Sequence, residues 1–438
     1  MSNTIHLLLK QNIGAKNNPI VKVGDEVKRG QLIADFEGFI GANLHASVDG
    51  KVIEVNDDEI VIEANEVQGK DYVKIEKGAT IAETVKNAGI VGLGGAGFPT
   101  HVKLGTDLGG TGYILCNAAE CEPILSHNMD QLLHEPEKLL RGMKLCMESC
   151  NAAHGIFALK EIHEKEILAL NKIIDDDRIT VKAMPNMYPM GEERAVVREC
   201  LGIVLETDKL PSEANAVVVN SETMCAIADA VDDLKPLIEK DVTVAGYLNT
   251  ANSLEIFKDV PIGTRVGDLI ERAGGLFKYG EYGEIIMGGP FTGKSTTMDA
   301  PIVKATGGIL VTKPYPKVNK KMGLLVCACG GNEDRLREMA GYMGAEVVGV
   351  ERCKQAVEGK GGALKCENPG HCPGQAQKML GLKKAGAEEV LISNCTDCTN
   401  TVMGVAPKMG IPVHHQTDTI LDTMGIERVR FLKDGQKK

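Results

Sequence analysis

GLGGAGFPT, residues 92–100, is the stretch from which the fold and function of this chain are inferred. Its adjacent small residues would expose backbone N–H groups, which can hold a phosphate where a helix begins. The stretch also matches G-x-G-x-x-G, but a Rossmann site requires a full strand before the loop and an acidic residue about 20 residues later. Only the short apolar segment 89–91 precedes it. We therefore predict a phosphate-holding loop in an α/β domain, with a Rossmann site or a purely structural turn as alternatives.

Three further motifs follow this loop along the chain. They are LCNAAECEP (115–123), YPMGEERAVV (188–197) and AVVVNSETMCAIADA (216–230). In this order, the four motifs resemble the flavin subunit of respiratory complex I and, more closely, RnfC, the subunit of the Rnf electron-transport complex that has no membrane span. The resemblance implies an FMN cofactor and NADH as the electron donor.

The resemblance also implies which residues surround the cofactor. Around the flavin ring and the incoming nicotinamide it places Gly92, Gly94, Gly95, Ala96, Gly97 and Phe98. Lys103 would supply positive charge near the phosphate, and Asn220 and Thr223 would approach the same end. The isoalloxazine or ribityl region would be contacted by Asn117, Glu120, Gly191, Glu192 and Glu193. The flavin itself supplies the redox chemistry, so no residue is predicted to act as a general acid or a nucleophile.

Two positions depart from the complex I pattern. Ala119 stands where that subunit carries an acidic residue, which would weaken nicotinamide recognition. Ser221 replaces a second Asn, which would loosen the phosphate pocket. A structural alternative also exists for Glu192 and Glu193, because acidic residues in a first helical turn complement the helix dipole.

The N-terminal residues 1–70 are predicted to form a domain of short strands. Two half-units, VKVGDEVKRGQLIADFEG and LHASVDGKVIEVNDDEIVIEA, alternate apolar and polar residues, with a hairpin turn expected at Asp49-Gly50. They resemble the barrel-sandwich hybrid of biotinyl and lipoyl carriers. The segment between them contains no lysine that could be modified. We therefore expect a docking or structural domain and not a swinging arm.

The rest of the chain is predicted to form three α/β or α+β domains. An FMN- and NADH-binding domain is expected over 75–238 and a β-grasp domain of the SLBB type over 241–315. The SLBB assignment follows from a further resemblance to RnfC. The proline- and lysine-rich stretch 313–321 is the predicted linker. Beyond it, residues 322–430 alternate strand and helix patterns, which predicts a parallel sheet with crossover helices.

Seven of the thirteen cysteines lie in this last domain. The candidate metal or redox thiols are Cys327, Cys329, Cys353, Cys366, Cys372, Cys395 and Cys398. Because Cys327, Cys353 and Cys395 each end a predicted parallel strand, they should converge at one sheet edge. An iron–sulfur cluster, a thiol/disulfide relay and buried inert cysteines are the alternatives; the bacterial ferredoxin spacing is missing. A zinc site with His371, His414 or His415 is a variant of the metal hypothesis.

The other six cysteines are predicted to be structural. The segment NCTDCTNTVMGVAPKMGIPV resembles PrdC-type electron-transfer proteins associated with proline reductase, which implies D-proline reductase as a candidate acceptor. A net charge of −11 argues against a nucleic-acid partner. No segment approaches the roughly 20 apolar residues of a membrane span, so we expect a cytoplasmic protein that can dock on a larger complex.

We thus predict an oxidoreductase subunit that passes electrons from NADH through FMN and a cysteine-based centre to a partner reductase. A non-catalytic scaffold of a redox complex, or a metal sensor built on the last domain, are the alternative functions.

Overall fold

The computed structural model describes residues 3–278, 280–359, 362–393 and 395–428. The first domain is built from two small sheets packed around a shared apolar core. Its strands are β1 (Thr4–Leu8), β2 (Asn18–Pro19), β3 (Glu26–Val27), β4 (Leu32–Asp35), β5 (Leu44–His45), β6 (Gly50–Val55) and β7 (Glu59–Ala64). One sheet has the order β1-β7-β6-β3 and the other β2-β4-β5, with antiparallel pairing in both. Residues 1–2 of the predicted domain lie outside the described residues.

The hairpin turn predicted at Asp49-Gly50 is wrong. Gly50 is the first residue of β6 and pairs with both β3 and β7. The tight turn lies between β6 and β7, where the Asn56 side-chain oxygen accepts hydrogen bonds from the backbone amides of Asp58 (2.8 Å) and Glu59 (2.9 Å). Asn is a favoured turn residue because its side chain can hydrogen-bond to the backbone two or three residues later, and the chain therefore reverses at Asn56 and not at Gly50.

The second domain is a parallel sheet covered by helices. Its elements are α1 (Ile81–Asn87), α2 (Thr100–Leu104), β8 (Gly112–Ala118), α3 (His127–His134), α4 (Pro136–Ser149), β9 (Ala152–Lys160), α5 (Glu164–Ile173), β10 (Ile179–Met184), α6 (Glu193–Leu201), β11 (Ala216–Asn220) and α7 (Ser221–Ala228). A 3₁₀ turn at Pro211–Ala214 and a π-helical turn at Asp229–Asp233 complete it. The strand order is β10-β9-β8-β11, and all pairs are parallel. The carboxyl ends of β8 and β11 therefore meet at one edge, where α/β folds place their sites.

The third domain is a mixed five-stranded sheet with one helix. It contains β12 (Glu239–Gly246), β13 (Leu254–Pro261), α8 (Val266–Arg272), β14 (Ile285–Met287), β15 (Lys294–Thr296) and β16 (Gly308–Val311). The order is β13-β12-β16-β14-β15, with only β12 and β16 parallel. Leu269 and Ile270 of α8 share a buried core with Val242, Val244 and Ile309 of the sheet. A β-grasp unit would have this arrangement, and its assignment to the SLBB type stays a prediction.

The fourth domain confirms the predicted alternation of strands and helices. Its elements are β17 (Lys321–Val326), α9 (Glu333–Tyr342), β18 (Glu346–Arg352), β19 (Ala356–Glu358), β20 (Leu364–Cys366), α10 (Ala376–Lys384), β21 (Glu389–Ile392), α11 (Thr396–Met403), α12 (Ala406–Met409), β22 (Val413–His415) and α13 (Gln416–Met424). The four strands lie in the order β18-β17-β21-β22 and all pairs are parallel. The sequence order of the strands reverses between β17 and β21. The short hairpin β19-β20 has no counterpart in the predicted alternation. Residues 429–430 of the predicted domain lie outside the described residues.

The predicted linker 313–321 is fastened to both of its neighbours. Tyr315 is 5% exposed and packs in a core formed by the third and fourth domains. Its hydroxyl donates to Glu284 of the third domain, which also accepts two hydrogen bonds from Arg335 of α9, at 2.6 and 2.9 Å. A buried charge is tolerated only when it is paired and hydrogen-bonded, so this network holds the two domains together.

A separate observation concerns membranes. Among the residues that the structure describes, no helix combines the length and the apolar character required to cross a bilayer.

Candidate functional site

A cavity of about 820 Å³ lies at the carboxyl edge of the sheet in the second domain. Its volume falls within the range of roughly 300–1,000 Å³ that is usual for ligand pockets. Nine of the predicted flavin residues line it: Gly94, Gly95, Ala96, Asn117, Glu120, Gly191, Glu192, Glu193 and Asn220. The glycine loop and the three motifs that follow it are thus brought to one cavity.

The glycine loop is held at its ends and open at its centre. Gly92 N donates to Phe98 O at 2.9 Å, and Leu93 N donates to Thr223 Oγ1 at 3.0 Å. Between these anchors, residues 94–96 are exposed and face the cavity. A Cβ at Gly94 would lie 2.5 Å from Asn220 Nδ2, whereas a Cβ at Gly95 would meet no atom within 4 Å. At position 94 a side chain would collide with Asn220, so the protein itself requires glycine there. At position 95 glycine leaves open space that a ligand could occupy.

Two helices begin at the cavity wall. Asn220 caps α7, because its Oδ1 accepts from the amides of Glu222 (2.9 Å) and Thr223 (3.3 Å). Glu192 caps α6 through bonds from the amides of Arg194 (2.9 Å) and Ala195 (3.0 Å). The positive ends of both helix dipoles therefore lie beside the cavity, which favours an anionic group there. The Glu192 carboxylate therefore caps α6. This is the structural role at the start of a helix that the sequence offered as an alternative to flavin contact.

Five predicted residues lie behind the wall: Gly92, Gly97, Phe98, Lys103 and Thr223. Lys103 Nζ donates to Glu193 Oε1 at 2.7 Å and to Val218 O at 3.0 Å, so its charge is directed at the protein. Gly97 O accepts from Ile13 N of the first domain at 3.1 Å. These hydrogen bonds hold the loop and the neighbouring Glu193 carboxylate in place.

Four cavity residues carry buried polar atoms that lack hydrogen-bond partners among the described residues; Glu120 was predicted and Ser221 was noted as a departure, whereas Asn128 and Arg194 were missed from the sequence. Among the described residues, no hydrogen bond reaches the buried Glu120 Oε2, Asn128 Oδ1, Arg194 Nη1 or Ser221 Oγ. All four residues line the cavity. Buried polar atoms are normally hydrogen-bonded, so this cavity offers both donors and acceptors to a polar ligand. Arg194 lies directly beside predicted residues in a quoted motif, which is the signal that could have found it.

The residues present therefore fit FMN. The helix starts and Arg194 suit a phosphate, and the amide and carboxyl groups suit a ring with donors and acceptors. Burial raises the pKa of Glu120 to about 8, so this carboxyl group is mostly protonated at neutral pH and can donate a hydrogen bond.

The cysteines of the fourth domain converge as predicted. Cys327, Cys353 and Cys395 follow β17, β18 and β21 at the carboxyl edge of the sheet. Interaction with the Cys327 and Cys366 side chains raises the pKa of Cys329 well above its usual range, and interaction with Cys327 raises the pKa of Cys353. Cys372 and Cys398 form a further pair, and the hydrogen bond from Cys398 lowers the pKa of Cys372 to about 6.

All thirteen cysteines are free thiols. Among the described residues, no three His, Cys, Asp or Glu side chains are arranged to hold a metal ion, and the cluster and zinc hypotheses stay predictions. His414 is hydrogen-bonded to Glu389 at 2.5 Å and His415 is buried beside Thr399 at 3.4 Å. His371 is exposed.

The thiol cluster and the glycine loop share one cavity. Cys329 and Cys366 line the same cavity as the loop, together with Cys121 of the second domain, which was predicted to be structural. Tyr188 of the second domain contacts both of the domains that follow it: its ring stacks on Phe291 of the third domain, with ring centroids 3.6 Å apart, and its hydroxyl donates to Cys329 O of the fourth. The fourth domain is therefore seated directly on the candidate flavin site.

Comparison with known proteins agrees with this geometry. The Nuo51 FMN-binding domain model matches residues 85–229, and the RnfC barrel-sandwich hybrid domain model matches residues 1–80. Both the FMN prediction and the N-terminal fold prediction are thereby confirmed.

Relatives with known activities match over long stretches. A protein of Clostridium ljungdahlii, the RnfC-type component of the proton-translocating ferredoxin:NAD(+) oxidoreductase complex, is 35% identical over 345 residues, which cover 74% of this chain and 74% of that protein. The cobalamin reductase PduS of Salmonella typhimurium is 36% identical over 244 residues, 55% of this chain and 52% of the reductase. A crystal structure of an NAD+-reducing NiFe-hydrogenase in the air-oxidized state matches 53% of this chain and 46% of that chain, with 25% identity and a TM-score of 0.44.

The chain thus spans about half the length of the cobalamin reductase and of the hydrogenase chain, but about three quarters of the Clostridium protein. The long match to that protein and the two domain models together show that this chain belongs to the RnfC-like family of electron-transfer subunits, with an FMN-binding domain behind an N-terminal barrel-sandwich hybrid domain.

Proposed function

We propose that this chain takes electrons from NADH at an FMN bound in the 820 Å³ cavity and passes them through its cysteine-rich domain to a protein acceptor. One observation carries the proposal: residues 94–96 of the loop and residues Cys329 and Cys366 of the fourth domain line the same cavity. A flavin held by the loop would therefore share its cavity with the cysteine-rich domain.

The protein groups have distinct tasks in this proposal. The start of α7 and the guanidinium of Arg194 would bind the phosphate, and Asn117, whose Nδ2 donates to Gly191 O at 2.8 Å, would keep the two walls at a fixed separation. Protonated Glu120 would donate a hydrogen bond to the ring. When bound, FMN supplies hydride acceptance and single-electron release. Residues of the third and fourth domains, among them Gly289 and Cys366, form part of the cavity wall.

The donor follows from the family and from the cavity. The Clostridium ljungdahlii relative is named as part of an oxidoreductase of ferredoxin and NAD(+), and we extend the nicotinamide to this chain. Ser221 lines the cavity with a hydroxyl that lacks a partner among the described residues, whereas Ala119 is fully buried and is not among the lining residues. D-proline reductase stays a prediction for the acceptor, which rests on the tail motif.

A visible absorption spectrum of the full chain, purified without oxygen, tests the proposal. We expect a flavin spectrum that is bleached when NADH is added and restored by an artificial electron acceptor. Gly95→Leu, which would fill the open space above the loop, should lose the flavin, whereas Gly341→Leu on α9, also with open space around it, should keep it. Well-folded protein that is colourless and inert to NADH would favour the scaffold function instead.

A further inference from the structure

Two arginines of α6 hold a segment of the fourth domain, residues 366–369, against the second domain. Arg194 Nη2 donates to Cys366 O at 2.7 Å. Arg198 Nη1 donates to Asn368 Oδ1 and to the carbonyl oxygen of the following residue, both at 2.7 Å. Hydrogen bonds from a charged donor are roughly twice as strong as those between neutral groups. The two guanidinium groups therefore fasten this segment to α6.

Only one of the two arginines also belongs to the cavity. Arg194 and Cys366 are among the residues that line it, whereas Arg198 is not. Arg194 is 8% exposed, and its Nε donates to Glu192 Oε1 at 3.0 Å. Its Nη1 is buried, and among the described residues no hydrogen bond reaches it. One guanidinium group thus contacts a carboxylate and the fourth domain while one of its nitrogen atoms is left without an acceptor.

This unpaired nitrogen makes the attachment of the segment sensitive to what the cavity holds. A buried donor without an acceptor opposes the arrangement that buries it, because the same donor would be hydrated if the segment moved away. An anionic group beside Arg194 would supply the acceptor. The guanidinium has five N–H donors in a fixed fork, so it can serve an anion while Nη2 still donates to Cys366 O. Such an anion therefore binds the attached form more tightly than the detached form, and its binding shifts the population toward attachment.

We propose that Arg194 couples loading of the cofactor to the seating of the fourth domain: a phosphate bound at Arg194 stabilises the attachment of residues 366–369 to α6, and the flavin-free chain releases this segment more readily. The inference rests on the proposed function for the identity of the phosphate-bearing ligand. Arg194 is a positioning residue in this coupling. As a consequence, Cys366 is held at the cavity wall when the flavin is present.

Amide hydrogen exchange of the full chain, followed by mass spectrometry in a peptide spanning 364–370, tests the coupling because exchange reports local opening. The protein is compared alone, with FMN, and with riboflavin, which has the same ring and no phosphate; fluorescence quenching follows the saturation of each flavin. We expect FMN to slow exchange in this peptide about tenfold, a typical size for coupling between two sites, and riboflavin to leave it unchanged. Equal slowing by both flavins would overturn the proposal, since contact of the ring with the cavity wall would then be sufficient.

Two variants separate the coupling from simple attachment. Arg194→Lys keeps the positive charge but lacks the fork that serves two acceptors together, so saturating FMN should no longer slow exchange in the peptide. Arg198→Lys is the matched control: it loosens the segment away from the cavity, so exchange should be faster with and without FMN, and FMN should still slow it about tenfold. Wild-type exchange in α4 (Pro136–Ser149) shows that each variant has folded. Slowing by FMN in Arg194→Lys to the wild-type extent would show that another group carries the coupling.

Inorganic phosphate separates failure of this inference from failure of the proposed function. If the wild-type chain does not bind FMN in the quenching titration, the proposed function fails, and the exchange measurement is then made with phosphate alone. Slower exchange in the wild type but not in Arg194→Lys would support the coupling for a phosphate ligand of another kind. Unchanged exchange in the wild type with both FMN and phosphate would refute it.

Discussion

Replacing Gly94 or Gly95 by alanine separates the two demands that the structure places on the glycine loop. A Cβ at Gly94 would lie 2.5 Å from Asn220 Nδ2 and 3.0 Å from Asn220 Cγ. Asn220 would have to move and would lose its bonds to the first amides of α7. Loss of an N-cap costs about 0.5–2 kcal/mol, so Gly94→Ala should lower the free energy of unfolding of the flavin-free protein by about 1 kcal/mol.

Gly95→Ala should behave in the opposite way. Its Cβ would meet no protein atom within 4 Å, so the stability of the flavin-free protein should not change. The new methyl group would project into space that the flavin needs. We expect FMN affinity to fall by on the order of tenfold, which corresponds to about 1.4 kcal/mol.

Denaturant unfolding of the flavin-free proteins and FMN titration by fluorescence quenching measure the two effects. Gly341→Ala on α9 is the control, and its FMN affinity should equal that of the wild type. The reasoning is refuted if Gly94→Ala unfolds at the wild-type denaturant midpoint with the same m-value, or if Gly95→Ala binds FMN as tightly as the wild type.

Three other changes test the domain contacts and the cavity. Arg335→Met should destabilise the protein by about 3–5 kcal/mol in denaturant unfolding, because it leaves Glu284 charged and buried, and the double variant with Glu284→Met should recover most of that loss. Tyr188→Phe removes the bond to Cys329 O and should cost about 0.5–1.5 kcal/mol; an unchanged midpoint would show that this bond does not hold the fourth domain. Since burial raises the pKa of Glu120 from 4.5 to about 8, the folded state keeps a proton that the unfolded chain has released in that window, and stability should fall as the pH rises through it. Glu120→Gln should flatten this part of a stability profile, and an identical slope in the variant would contradict the assignment.

The fourth domain shows where sequence patterns predict structure well. Parallel strands buried on both faces are continuous apolar runs, and crossover helices separate them at regular intervals. The runs that end at Cys327, Cys353 and Cys395 therefore predicted both the sheet and the convergence of these thiols. The hairpin β19-β20, which brings Cys366 to the cavity, was missed because its strands have only three residues each.

Local signals were less reliable where several compete. The glycine after Asp49 indicated a turn, but pairing of Gly50 with two strands outweighed that preference. Lys103 was expected at the phosphate from the resemblance alone. In the structure its ammonium group donates to Glu193 and to the carbonyl oxygen of Val218, while the helix starts place positive potential beside the cavity.

The sequence by itself determined the parallel sheets, the glycine loop and the family to which the chain belongs, because these depend on periodicity and on short motifs. Only the tertiary structure decided that Cys329 and Cys366 share a cavity with residues 94–96, more than 200 positions earlier in the chain. The packing of Tyr188 on Phe291 and the buried pair of Arg335 and Glu284 set that approach. Contacts between residues so distant in sequence leave no periodic pattern, since each depends on the shape of two complete domains.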